Sequence, residues 1–151
     1  MRGTLHHHVL SVGRRARDPL LDAAEVYAQR IQHYARLTRV TVKESDPERE
    51  AEALLRKAPP RAYIVALDEH GEQLSTRQLA QRLETWQQAG QRDIVWIMGG
   101  ADGLASAIKT KAHWVWSLST LTLPHRLAQV VALEQLYRGH SILHGARYHR
   151  D

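Results

Sequence analysis

The sequence has no cysteine, only 5 prolines and 9 glycines in 151 residues, and no long hydrophobic run. Without cysteine, disulfide frameworks, Cys-ligated zinc, iron–sulfur clusters and thiol nucleophiles are all excluded. No apolar stretch approaches the roughly 18 residues that a membrane helix requires. The opening residues Met1 to His8 lack the apolar segment of a secretory signal. A soluble, cytoplasmic protein is therefore expected. No Pro/Gly/Ser-rich linker, internal repeat or low-complexity segment divides the chain, so residues 1–151 are read as a single domain. A domain of this size hides about 70% of its unfolded surface and needs no staples.

What is present is positive charge. Twenty-one Lys and Arg stand against 16 Asp and Glu, a net charge of +5. In a small protein this favours a nucleic-acid partner, because phosphate contacts supply affinity that does not depend on sequence. Apolar segments alternate with helical periodicity along the chain. Strands are expected at 5–12, 37–43, 62–67, 93–98 and 114–118. Helices are expected from Asp18-Pro19 to about Arg36, from Asp46-Pro47 to about Lys57, from Ser75 to Gly90, from Leu104 to about Lys111, and from Pro124 to Gly139. Asp68–Glu72 reads as a turn. The Asp-Pro pairs place a capping side chain before a proline at the first helical position. Ala62–Leu67 is continuously apolar, as in strands covered on both faces. The fold class is α/β, with a mainly parallel sheet and helices on both faces.

Two strand-to-helix connections stand where open α/β sheets bind ligands. In Gly99-Gly100-Ala101-Asp102-Gly103-Leu104, the glycines allow close backbone approach. The spacing fits neither a dinucleotide fingerprint nor a P-loop. Asp102 would repel a polyphosphate, so a ribose, an amine or a cationic centre suits the loop better; a plain tight turn is the alternative. Leu118-Ser119-Thr120-Leu121-Thr122-Leu123-Pro124 alternates apolar residues with small hydroxyls. It suits a wall whose amides read a base edge, or an ordinary core-lining connection.

Glu134 and Arg138 are spaced i,i+4 on the apolar stripe of the last helix, where charge must be paired. They make either a structural ion pair or a site-shaping one. Tyr148-His149-Arg150 offers stacking, proton transfer and phosphate contact, though a frayed basic tail is the plainer reading. His6, His7 and His8 cannot all ligate one metal, since neighbouring strand residues face opposite ways. A surface strand or an appended tag is the simpler explanation, and no metal site is expected.

Four segments in order carry a family resemblance. They are Ile97-Met98-Gly99-Gly100-Ala101-Asp102-Gly103-Leu104, Trp116-Ser117-Leu118-Ser119-Thr120-Leu121-Thr122-Leu123-Pro124-His125, Glu134-Gln135-Leu136-Tyr137-Arg138 and the terminal Tyr148-His149-Arg150. With Val12-Gly13 and Ala66-Leu67-Asp68, the chain resembles the ribosomal RNA large subunit methyltransferase H family of the SPOUT superfamily. The resemblance implies an S-adenosylmethionine-dependent enzyme that methylates N3 of a pseudouridine in 23S rRNA within the ribosome. It also implies a C-terminal deep trefoil knot and a homodimer. On matching positions, the cofactor would be held by Leu67, Gly99, Gly100, Leu118, Ser119, Thr120, Leu121, Thr122 and Leu123.

The motif matches place Glu134, Arg138, Tyr148 and His149 without assigning their roles. The N3 proton must leave, which calls for a base or a stabiliser of the developing anion. His149 is the candidate base, directly or through water; Arg138 and Arg150 are candidates to hold the anion or phosphates; Tyr148 is a stacking or hydrogen-bonding group, and Glu134 the partner that shapes the site. Arg14, Arg15, Arg17 and Arg150 are candidate phosphate contacts. A ribosome-associated factor without activity and an enzyme acting on free nucleotides are the competing classes. The first would not bind S-adenosylmethionine, and the second would ignore ribosomes.

Overall fold

The computed structural model describes residues 4–13, 17–100 and 103–151. Its ten elements run β1 (His6–Val12), α1 (Pro19–Ile31), β2 (Arg36–Val42), α2 (Pro47–Arg56), β3 (Tyr63–Glu72), α3 (Thr76–Gln88), β4 (Asp93–Met98), α4 (Ser106–Lys111), β5 (Trp114–Trp116) and α5 (His125–Leu143). The five strands form one sheet in the order β2-β1-β4-β3-β5. Every pairing is parallel. All carboxyl ends therefore lie along one rim. Asp18 and Asp46 cap α1 and α2 through their side chains, and Ser75 with Gln78 closes a reciprocal capping box on α3.

Each interior strand divides its side chains between two cores. Along β4, Ile94, Trp96 and Met98 join a core with α1, α3 and α5, while Val95 and Ile97 join a second core with α2 and α4. The expected helices on both faces are thus three on one side and two on the other. Trp86, Trp96, Trp114 and Trp116 cluster in the first core, with neighbouring ring centroids 5.4–6.4 Å apart; Trp114 and Trp116 stack, and the other pairs meet edge-on or tilted.

Four local expectations are corrected. Helix α1 stops at Ile31 rather than near Arg36, because Arg36 is already paired with His6 in the sheet. The stretch expected to be a turn, Asp68–Glu72, belongs to β3. Leu67 and Glu72 both pair with Trp116, so the residues between them bulge from the ladder. Helix α5 runs through Gly139 to Leu143. Gly139 does not stop the helix; it gives way to Leu83 of α3, whose Cδ1 would stand 2.8 Å from an added Cβ. The helix ends instead before Gly145, at φ +68°.

The fourth correction concerns the histidines. Strand β1 is interior, with β2 and β4 on either side, and not a surface strand. His7 is fully buried. Trp96 Nε1–H donates to His7 Nδ1 at 3.0 Å, and His7 Nε2 lies 2.8 Å from His140 Nε2. Indole is only a donor, so His7 carries its proton on Nε2 and gives it to His140. His140 then holds its own proton on Nδ1, a buried atom with no partner among the described residues. Burial, and then the neighbouring histidines, push His7 well below the usual imidazole range; burial brings His140 to about 4.

Candidate functional site: a cavity at the carboxyl rim of the sheet

A cavity of about 720 Å³ opens at the carboxyl ends of β4 and β5, against the bulge of β3. That volume falls in the range of small-molecule sites. Leu67 to Glu69 supply one wall. Met98, Gly99, Gly100, Gly103 and Leu104 supply a second. Trp116, Leu118, Ser119 and the run Leu121 to His125 supply the third, with Ala128 of α5 behind it.

The glycine loop is folded tightly on itself. Gly103 N–H donates to the Gly100 carbonyl at 3.0 Å, and Gly103 has φ +78°. A Cβ on Gly99 would come within 2.7 Å of the Gly103 carbonyl group. One on Gly100 would stand 3.3 Å from Val12 Cγ1. Backbone, rather than side chain, therefore faces the cavity here. Ala101 and Asp102 of this loop lie outside the described residues.

The facing loop is tied to the bulge in β3. The Ser117 hydroxyl lies 3.0 Å from the Glu69 carbonyl and 2.9 Å from that of Ser119. Ser119 Oγ accepts from Leu121 N–H at 3.0 Å, and Thr122 Oγ1 donates to Glu69 at 2.8 Å. Leu121, 71% exposed, forms an apolar lip. Beside Leu67, Asp68 pairs with Lys109 at 2.9 Å. Burial would raise the Asp68 carboxyl, but the Lys109 hydrogen bond and charge outweigh it, so the group sits lower than usual and stays ionised.

Eight of the nine residues expected to hold a cofactor line this cavity; Thr120 does not. Sequence reasoning did not assign Asp68, Glu69, Trp116, His125 or Ala128 to it. Asp68 and Glu69 were masked by the turn reading, although their place after a central apolar strand is a signal for a ligand rim.

Glu134, Arg138, Tyr148 and His149 converge elsewhere. Glu134 accepts from Arg138 Nε and Nη2 at 2.7 and 2.6 Å, and from the Tyr148 hydroxyl at 3.3 Å. The Arg138 guanidinium covers the Tyr148 ring at 4.6 Å. Arg138 Nη1 donates to His149 Nδ1 at 3.3 Å, and His149 Nε2 donates to Asp151 at 3.0 Å. Asp151 also pairs with Arg77 of α3. The tail is thus anchored, not frayed. Burial and the Glu134 charge raise Tyr148 to about 12, so its phenol is a donor at neutral pH. None of the four lines the cavity. On α5, Arg138 follows Ala128 by ten residues, about 15 Å along the axis.

Arg17 and Arg150 are exposed, while Arg14 and Arg15 lie outside the described residues. Next to Arg17, Asp18 pairs with Arg126 in the first turn of α5, beside the cavity-lining His125.

The family described as predicted SPOUT methyltransferase matches residues 5–149. A ribosomal RNA large subunit methyltransferase H from Methylobacillus flagellatus is 40% identical, over 95% of this chain and 97% of its own. One of the same name from an Anaeromyxobacter species is 39% identical, over 94% and 97%. A probable methylase family protein from Haemophilus influenzae shares the fold at TM-score 0.56 and 10% identity, covering 97% of this chain and 70% of that one. A probable methyltransferase from Bordetella pertussis does so at 0.53 and 13%, covering 90% and 96%. With the match running from β1 to the terminal tail, the chain belongs to the ribosomal RNA large subunit methyltransferase H family of SPOUT methyltransferases.

Proposed function

We propose that this protein is an S-adenosylmethionine-dependent methyltransferase acting on N3 of a pseudouridine in 23S rRNA of the ribosome, in the cytoplasm. The observation that carries the reading is the cavity, with its glycine cradle, apolar walls and acidic edge. It fits the methyl donor in each part. The backbone at Gly99 and Gly100 carries no side chain, and a Cβ on Gly99 would collide with the Gly103 backbone. Leu67, Met98, Leu118 and Leu123 offer an apolar slot for adenine. Asp68 and Glu69 suit ribose hydroxyls and a positive sulfonium, and would repel the phosphates of a nucleotide. When bound, S-adenosylmethionine supplies an electrophilic methyl group. The chain's own contribution is position: backbone amides of both loops fix the donor, and Leu121 closes over it to exclude water.

The acceptor nitrogen must lose a proton. His149 Nδ1 is the basic lone pair of the tail, held in that tautomer by the Nε2–H bond to Asp151. Arg138 occupies it until a substrate arrives. On release, the guanidinium is free to hold the base anion, while Glu134 keeps it aligned. Tyr148 acts as a donor or stacking surface. Arg14, Arg15, Arg17 and Arg150 carry the RNA backbone. The tether from Asp18 to Arg126 brings the neighbouring Arg17 towards the cavity end of α5.

The cavity and the tail cluster sit at different stations along α5, and none of the tail cluster lines the cavity. A homodimer in which each tail reaches the partner's cavity resolves this. The C-terminal part is read as threaded into a trefoil knot, in keeping with two loops meeting over one cavity. The test is calorimetric binding of S-adenosylmethionine, with mass spectrometry of 23S rRNA after incubation of the protein with ribosomes from a strain lacking the enzyme. Binding together with one added methyl on the pseudouridine supports the reading; absent binding overturns it. His149→Ala and Tyr148→Phe are expected to keep donor binding and to lower methylation at least tenfold. Full activity in both would remove the tail from the chemistry.

A further inference from the structure

The amino rim of the sheet, opposite the cavity, carries a second cluster. His6 and Asp93 are register partners on β1 and β4. His6 and His8 stand two apart on one strand and so share a face. Further along that face, Leu10 and Val12 are covered by the core under α2. At the rim, the His6, His8 and Asp93 side chains keep 15%, 11% and 28% of their exposure. The two imidazoles stack at 3.9 Å between centroids. His8 Nε2 lies 2.9 Å from Asp93 Oδ1, and His6 Nδ1 lies 3.8 Å from the same oxygen.

We propose that His6, His8 and Asp93 form a binding site for a divalent transition-metal ion of the zinc, cobalt or nickel class. One ligand atom from each residue lies within 4.8 Å of the other two. Ligands about 2.0–2.1 Å from a tetrahedral zinc stand roughly 3.4 Å apart, so small side-chain rotations close the site. Two imidazoles and one carboxylate select this class of ion over magnesium or calcium, which take oxygen ligands. Thr38 Oγ1 stands 2.7 Å from His6 Nε2. That is the outer hydrogen bond that fixes a ligating ring, and it leaves Nδ1 turned towards Asp93. His8, in its other neutral tautomer, presents its Nε2 lone pair. The remaining positions open to water. An ion here would pin β1 to β4 at their amino ends. His7 takes no part: it faces the opposite core, bonded to Trp96 and His140.

The test is calorimetric titration of the whole protein with Zn²⁺, repeated with Co²⁺ while following its visible absorption. The expected result is one saturable equivalent per chain, a rise in melting temperature on saturation, and an affinity at least tenfold lower in His8→Gln and in Asp93→Asn. Asp93→Asn retains an acceptor for His8 and so preserves the fold if His8→Gln does not. His70→Gln, which removes an exposed histidine elsewhere, is expected to change nothing. Absence of a saturable equivalent, or equal titrations in wild type and Asp93→Asn, would overturn the proposal and leave a hydrogen-bonded cluster with ions scattered over surface histidines.

Discussion

At Gly99 the cost of a single methyl group is set by backbone, which cannot rotate away. An added Cβ would meet the Gly103 carbonyl group at 2.7 Å. Gly99→Ala is therefore expected to open the loop and weaken S-adenosylmethionine binding more than tenfold in calorimetry, with the rest of the fold intact. His140 makes a prediction of a different kind. Its folded value of about 4 lies below the ordinary 6.5. As pH falls through that window, the unfolded chain takes up a proton that the folded chain refuses, so stability declines with acidity and levels off below it. The loss from His140 is of the order of 3 kcal/mol, and His7 adds to it in the same direction. Urea unfolding at pH 7 and pH 4.5 measures the loss, and His140→Gln is expected to flatten the slope. Neither behaviour of the histidines was legible in the chain. The period-two rule shows that His7 faces away from His6 and His8, but not that its face is a core or that Trp96 and His140 wait there.

At the level of the element, α5 shows where local signals mislead. Glycine reads as a helix terminator, yet Gly139 is the small residue that lets α5 approach α3. Gly139→Leu is expected to destabilise the protein by about 1–3 kcal/mol through overpacking, seen as a lower urea midpoint with an unchanged slope. Strand positions and helix starts were readable because Asp-Pro, the Ser75 capping box and the apolar runs are local signals. The end of α1 was not, since it is dictated by pairing between Arg36 and His6, residues 30 apart. The bulge in β3 was missed for the same reason: polar Asp68 to Gly71 look like a turn until Trp116 pairs on both sides of them.

Across the whole molecule, the loops of the cavity were legible as motifs after strands, and the tail cluster was legible only as a set of chemical groups. Distance between them is a property of the folded chain. If each tail serves the partner's cavity, then mixing impaired Gly99→Ala chains with impaired His149→Ala chains is expected to raise methylation above that of either variant alone. The mixed dimer would join an intact cavity to an intact tail. Activity that does not rise after verified exchange would place both halves of the site in one chain. The four tryptophans have a practical consequence. Because they lie in one cluster and Trp116 also borders the cavity, excitation absorbed by any of them migrates among all. The emission of the entire protein thus becomes an optical gauge of whether that space is filled, with no label attached.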